Sequence, residues 1–428
     1  MRRGAVRLFF LQILVGTVLF PVAVGSPPAM AQSPAAPDTS LPLEDILREN
    51  RYPIQVEDGT LQGRGGEWLL EQADEATITT LGESHGTREI PAIMGALFED
   101  LQAAGELDHL ALEVSPWTAS LMTDRLRAER GAYTDFITEH PSSIPFYFLK
   151  PERDLVRNFV RDSEAKQPIW GLDQIFAFAT TIALNRLTEL APTPGAQSAV
   201  QNVQAAGQGD SLDAEALPDL PPGLPTLLQA YPSAAFDTLR HHFSDVPEAQ
   251  RLLDELTTSI EIYRTNDTDN YRSNQMRARY LRRNLLQAYR RAQQTSDKPP
   301  KVAIKVGGRH AYRDRTPNNA LDVGNLAVAL AQETSGTAFN VLVTCGPGSS
   351  SRDFPAGTAD CWSDTRSVFK PMLNDEPVLF DLTALHPLLH DGTLDPDRQV
   401  KRLLWAFDAI VLVPDATPAS YIQRPTNP

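Results

Sequence analysis

Short apolar runs of strand length recur along the chain, and several are followed by apolar residues at helical spacing. The first, Ala76 to Leu81, precedes Ile90, Ile93, Met94, Leu97, Phe98 and Leu101, which fall three and four apart. Further runs are His109 to Val114, Pro168 to Leu172, Lys301 to Val306, Phe339 to Thr344, Pro377 to Leu382 and Ala409 to Val413. Strands alternating with helices predict an α/β fold, a largely parallel sheet with helices on both faces. Tyr231 to Gln294 reads as two or more long helices, so residues from about 185 to 298 are expected to form a helical insertion between strands, a lid or second layer beside the site. Between Ala191 and Pro225 the composition turns to Ala, Gln, Gly, Pro and Asp with little periodicity, which predicts a mobile surface excursion. No internal repeat is visible.

The amino-terminal pattern is of another kind. Arg2, Arg3 and Arg7 precede an apolar stretch from Leu8 to Gly25, and Ala29-Met30-Ala31 places small residues where a signal peptidase reads. This predicts a signal peptide over residues 1–31, cleaved after Ala31, and one domain over 32–428. An uncleaved anchor is the rival reading; Pro21 and the small-residue site favour cleavage. The mature chain is then exported, into a bacterial periplasm, with no stable membrane span.

Charge narrows the partners. The full chain carries −15, and losing residues 1–31 removes three arginines and no acid, giving −18. That balance excludes a nucleic-acid partner, since phosphate backbones are held by Lys and Arg clusters. The basic stretch from Arg277 to Arg291 reads as the solvated face of a helix. The cysteines, Cys345 and Cys361, lie in a Gly-, Ser- and Pro-rich stretch; in an exported protein they are expected to form one disulfide.

Candidate chemistry sits where strands end. Glu83, Ser84 and His85 follow the first run; Glu113 ends Leu110-Ala111-Leu112; Asp173 follows Ile169-Trp170-Gly171-Leu172; Arg309 and His310 follow Val302 to Val306 and two glycines. In a parallel sheet these ends share one edge, so Glu83, His85, Glu113, Asp173 and His310 are expected to converge on one crevice. Asp173 also reads as a helix cap. An apolar strand has little structural use for an unpaired acid, which singles out Glu113. Trp117, Phe146, Tyr147, Phe148 and Phe176 are candidates for lining the pocket, with core packing as the alternative for each.

Gly82-Glu83-Ser84-His85-Gly86-Thr87-Arg88-Glu89 resembles the Gly-Glu…His-Gly-Thr-x-Glu signature of the erythromycin esterase family, with one residue fewer between Glu and His. That Glu-x-His spacing is also similar to the wider superfamily of TraB-type, Tiki-type and ChaN-type haem-binding proteins. Ala111-Leu112-Glu113, Gly171-Leu172-Asp173, Arg272 to Met276 with Asn284, Gly308-Arg309-His310-Ala311, and Phe407-Asp408-Ala409 to Ala416-Thr417-Pro418 continue the resemblance in order. It implies a metal-independent hydrolytic site of Glu83, His85, Glu113 and His310, acting on an ester or lactone of a small molecule. His85 takes a proton from water, Glu83 or Glu113 fixes its tautomer, His310 donates to the leaving alkoxide, and Arg88, Arg309 and Asp173 bind substrate or the oxyanion.

Two other readings stay open. Gly82-Glu83-Ser84-His85-Gly86 also fits the Gly-x-Ser-x-Gly elbow of serine hydrolases, with Ser84 as nucleophile and Asp381 with His386 or His390 completing a triad. Alternatively Glu83, His85, Glu113 and His310 ligate a divalent metal, in a metallohydrolase or a metal- or haem-binding protein, although Cys-x-x-Cys-His is absent and Tyr312 near His310 reads equally as core.

Overall fold

Strand-length apolar runs become strands wherever helices bury both of their faces. A computed structural model describes residues 43–141, 143–207, 233–296, 298–352 and 357–422; the expected signal segment and residues 208–225 of the aperiodic stretch lie outside them. Its strands are β1 (Arg51–Pro53), β2 (Gln55–Glu57), β3 (Thr60–Gln62), β4 (Ile78–Glu83), β5 (His109–Leu112), β6 (Ile169–Gly171), β7 (Val302–Gly307), β8 (Ala338–Cys345), β9 (Ser350–Arg352), β10 (Thr358–Asp360), β11 (Val378–Asp381) and β12 (Ala409–Val413). Eight form one sheet in the order β1-β11-β12-β8-β4-β7-β5-β6. The six from β12 to β6 are parallel, as the alternating pattern predicts, while β11 and β1 finish one edge antiparallel. Pairs β2 with β3 and β9 with β10 are separate hairpins.

Successive residues of β7 serve different layers. Val302, Ile304 and Val306 join a core with Leu281, Leu285, Leu326 and Leu330; Ala303 joins the opposite one, with Leu97, Phe98, Leu155 and Phe159. Helices Glu89–Ala103 and Lys150–Asp162 cover that second face, and Asn270–Gln293, Val323–Glu333 and Arg398–Ala406 the first. Each fully buried leucine contributes roughly 1.5–3 kcal/mol.

Between β6 and β7 lie helices Thr180–Glu189, Pro194–Gly207, Ser233–His242, Pro247–Thr268 and Asn270–Gln293. The first four enclose a core of their own around Leu184, Phe236, Phe243 and Leu253, whereas Asn270–Gln293 sends Leu281 and Leu285 into the sheet's core. One expectation is corrected here: part of the supposedly aperiodic stretch is the helix Pro194–Gly207. Its buried Ala196, Val200 and Val203 are four and three apart, a helical stripe that small residues conceal, and Thr193 Oγ1 accepts from the Ala196 N–H at its start. Among the described residues no helix is long and apolar enough to cross a membrane.

After β12 the chain runs back across the sheet edge. Thr417 C=O accepts from the Arg88 N–H, the Ala419 N–H donates to Gly86 C=O, the Lys150 N–H to Ser420 C=O and the Ile422 N–H to Phe148 C=O. The segment therefore laces the Gly86–Arg88 turn to the one around Phe148. Gly86 sits at φ +79°, and a Cβ there would stand 2.4 Å from the Arg352 carbonyl oxygen, so the turn admits only glycine.

Cys345, at the end of β8, is bonded to Cys361, closing a loop over a separation of 16 residues. The chain-entropy model assigns such a loop about 3 kcal/mol. Full reduction, or paired Cys345→Ser and Cys361→Ser substitution, should lower the unfolding free energy by about that amount; an unchanged urea midpoint would refute it.

Candidate active site

The carboxyl edge of the sheet gathers the charged residues. Glu83 ends β4, and its carboxylate Oε1 lies 2.8 Å from His85 Nδ1. An ionised carboxylate only accepts, so the proton is held on Nδ1 and Nε2 is left as the acceptor of the neutral ring. Nε2 points toward Glu113, 3.7 Å from Oε2. The ring stacks on Phe146 at 3.8 Å between centroids, 9° from parallel. Phe146 occupies the left-handed region, φ +65°, which costs an aromatic residue on the order of 1–2 kcal/mol. His85 is 27% exposed, so the site is open to solute at its histidine and closed beneath it.

Below lies a buried ion cluster. Lys305, one place before the end of β7's apolar run, sets its ammonium 2.5 Å from Glu83 Oε1 and 2.7 Å from Glu152 Oε2. Register explains the reach: Leu81 pairs with Lys305, and Glu83, two residues on, points to the same face. All three side chains are buried. Burial alone would raise Glu83, but the charge of Lys305 and the partnership with His85 overcome it, and Glu83 is lowered. Glu152 is pushed up to about 7, by burial first and then by Glu83, against the pull of Lys305. Burial opposes the protonated form of His85, yet Glu83 and Glu113 raise it.

Glu113 anchors the other half. Its Oε1 accepts from Arg277 Nη2 at 2.7 Å and its Oε2 from the Gly307 N–H at 2.5 Å. Despite burial it is held down at about 2, by His310, Arg277 and His85 and by the Gly307 N–H. Arg277 also clamps Asp173 through Nε at 3.0 Å and Nη2 at 2.5 Å. His310 Nε2 stands 3.5 Å from Glu113 Oε1 and its Nδ1 2.7 Å from Asp322 Oδ2. Burial works against its charge, but Glu113 and Asp322 raise it. A Cβ on Gly307 would come within 2.7 Å of His85 Nε2; the glycine makes room for the imidazole.

Of the expected site residues, Glu83, His85, Glu113, Asp173 and His310 come together, with Asp173 touching Arg277 rather than capping a helix. Arg88 is exposed and paired with Glu89. Arg309 is exposed and lines a cavity beside Glu83. Phe146 is the aromatic candidate that stacks on His85; Trp117 and Phe176 pack with the insertion, and Tyr147 and Phe148 are core. Tyr312 packs edge-on against Phe407. Reading Arg277 as part of a solvated face is corrected, because its guanidinium is the cation of the Glu113–Asp173 clamp. Lys305, Glu152 and Asp322 went unread. A lysine inside an apolar strand was the available signal for the first; Asp322 is indistinguishable in sequence from the cap it also is, accepting from the Val323 N–H.

The serine triad is not assembled. Ser84 Oγ bonds Thr344 Oγ1 at 2.7 Å, Asp381 accepts from Thr383, His386 Nε2 faces the carbonyls of Leu404 and Phe407, and His390 is exposed. Nor does the four-residue ligand set present itself to a cation. Both Glu113 oxygens hold N–H donors and Lys305 stands on Glu83, and among the described residues no group of three or more His, Cys, Asp or Glu is placed to hold a metal ion.

No protein-family model matches this chain, and no curated protein does. Solved structures do. A Bacillus cereus protein superposes with a TM-score of 0.55 at 14% identity, over 89% of this chain and 98% of that one. A succinoglycan biosynthesis protein gives 0.55 at 12%, over 89% and 98%. A mutant of erythromycin esterase EreC in its open conformation gives 0.55 at 15%, over 83% of this chain and 95% of that one, so this chain shares the α/β fold of an erythromycin esterase.

Proposed function

We propose that this chain is an exported hydrolase that cleaves an ester or lactone of a small molecule with water activated by His85. The observation that carries the reading is the pair of imidazoles flanking Glu113, each with Nδ1 tied to a carboxylate and Nε2 turned inward. A water at His85 Nε2 gives up its proton as it attacks the carbonyl. The imidazolium that forms is stabilised by Glu83 on one side and Glu113 on the other. His310, whose protonated form Glu113 and Asp322 favour against burial, donates from Nε2 to the departing alkoxide. Phe146 holds the His85 ring in plane, and Arg277 keeps Glu113 charged and still. Export rests on the signal-like segment, and the Cys345–Cys361 bridge accords with it.

Replacing His85 by Ala should lower kcat on any cleaved ester by about 10²–10⁴ while the melting transition persists. Ser84→Ala should stay within about tenfold of the parent, since its hydroxyl bonds Thr344 Oγ1 and, among the described residues, no imidazole or carboxylate bonds it. A greater loss from Ser84→Ala than from His85→Ala would overturn the water mechanism.

The pH profile carries a second expectation. Protonated His85 cannot accept a proton, so kcat/KM falls as pH drops through its pKa; neutral His310 cannot donate, so the rate falls again as pH rises. Both pKa values are raised, which places the maximum above the ordinary imidazole value of 6.5. His310→Gln should erase the alkaline limb. An optimum on the acid side of 6.5, or an intact alkaline limb in that variant, would count against these roles.

A further inference from the structure

A cavity of about 590 Å³ opens beside Glu83, Ser84 and Gly308, at the ends of β4 and β7. Three arginines line it: Arg309, Arg366 and Arg402. Arg366, from the Asp364–Met372 turn, is 9% exposed, and among the described residues no carboxylate pairs with it. Its Nη1 donates to Thr344 Oγ1 at 2.6 Å and its Nη2 to Cys361 C=O at 2.7 Å, while Nε has no acceptor. Burial pushes this guanidinium down to about 10, against the help of Tyr312 and Asp360. Arg402 donates to the carbonyls of Arg315 and Thr316, and Arg309 forms no ion pair among the described residues. Among the described residues Glu83 is the one carboxylate lining the cavity, and Lys305 and His85 already answer its charge.

A buried guanidinium with an orphaned N–H is costly unless an anion completes it, and planar forks of this kind are suited to carboxylate and phosphate. We infer that this cavity is an oxyanion-binding subsite and that the substrate of the proposed hydrolase bears a carboxylate or phosphate group held by Arg366, Arg309 and Arg402. The inference rests on that reading for its substrate but not for its binding. It also gives Ser84 a place: its hydroxyl meets Thr344 Oγ1, which in turn accepts from Arg366, so the motif serine supports the anion site rather than the chemistry. Both acceptors of Arg366 adjoin the disulfide, Thr344 by preceding Cys345 and Cys361 directly, so the bridge fixes the guanidinium.

Calorimetric titration of the folded full chain with inorganic phosphate and, separately, with succinate tests it, sodium chloride at equal ionic strength being the control. At least one oxyanion should bind, and Arg309→Gln and Arg366→Gln should each weaken it by at least about tenfold. Arg366 is buried, so its variant counts only if it melts cooperatively; exposed Arg309→Gln carries the test regardless. No binding of either anion, or unchanged affinity in Arg309→Gln, overturns the subsite, and whichever anion binds separates carboxylate from phosphate. Hydrolysis of para-nitrophenyl butyrate and of mono-para-nitrophenyl succinate is measured alongside. Equal cleavage of both, without anion binding, removes the subsite and leaves the hydrolase; arginine-dependent binding without cleavage of either removes the hydrolase and leaves the subsite.

Discussion

Lys305 carries its ammonium into a face of the sheet that water does not reach, and Glu83 and Glu152 meet it there from β4 and from helix Lys150–Asp162. Isolated burial of any one of these charges would be prohibitive, and removing one partner of such a pair typically costs 3–5 kcal/mol. With the ammonium in place Glu83 stays ionised, and an ionised Glu83 fixes the tautomer and tilt of His85. The orientation of the surface imidazole is thus set from inside the core, through the register that places β4 beside β7. Glu152, the second acid on a single ammonium, is the group of the three that takes up the proton left over near neutrality.

Opposite, the same logic runs through a guanidinium. Arg277 belongs to the last helix of the insertion, and its fork spans Glu113 after β5 and Asp173 after β6. Asn284 on that helix donates to Leu172 C=O, seating the helix against the strand end. The insertion is accordingly part of the crevice: its last helix, packed into the sheet's core through Leu281 and Leu285, supplies the cation that keeps Glu113 charged between two histidines.

Apolar runs and strand-end polar residues made the sheet and the gathering of Glu83, His85, Glu113, Asp173 and His310 legible in the sequence, because burial on both faces leaves uninterrupted apolar letters and parallel strands share an edge. What escaped was of two kinds. Arg277 lies in an arginine-rich helix whose exposed and buried cations look alike in sequence, and only the fold tells which one faces a carboxylate pair. The edge strand β1, three residues long, and the Ala-rich helix Pro194–Gly207 carry too little apolar side chain to announce themselves. Arg88, part of the same motif, is the residue just before the helix Glu89–Ala103 and lies in solvent beside Glu89.

The segment after β12 ties the Gly86–Arg88 turn to the chain's far end: Thr417 bonds Glu89 across 328 positions of sequence. During synthesis the histidine motif is therefore among the earliest parts of the domain to emerge and among the last to be held in place. A nascent or truncated chain lacking residues 416–422 has every charged group of the crevice but not the strap that seats the His85 turn beside Phe146. The seat of the His85 turn is thus a non-local product of folding, complete only once residues 416–422 have joined a segment more than three hundred positions before them.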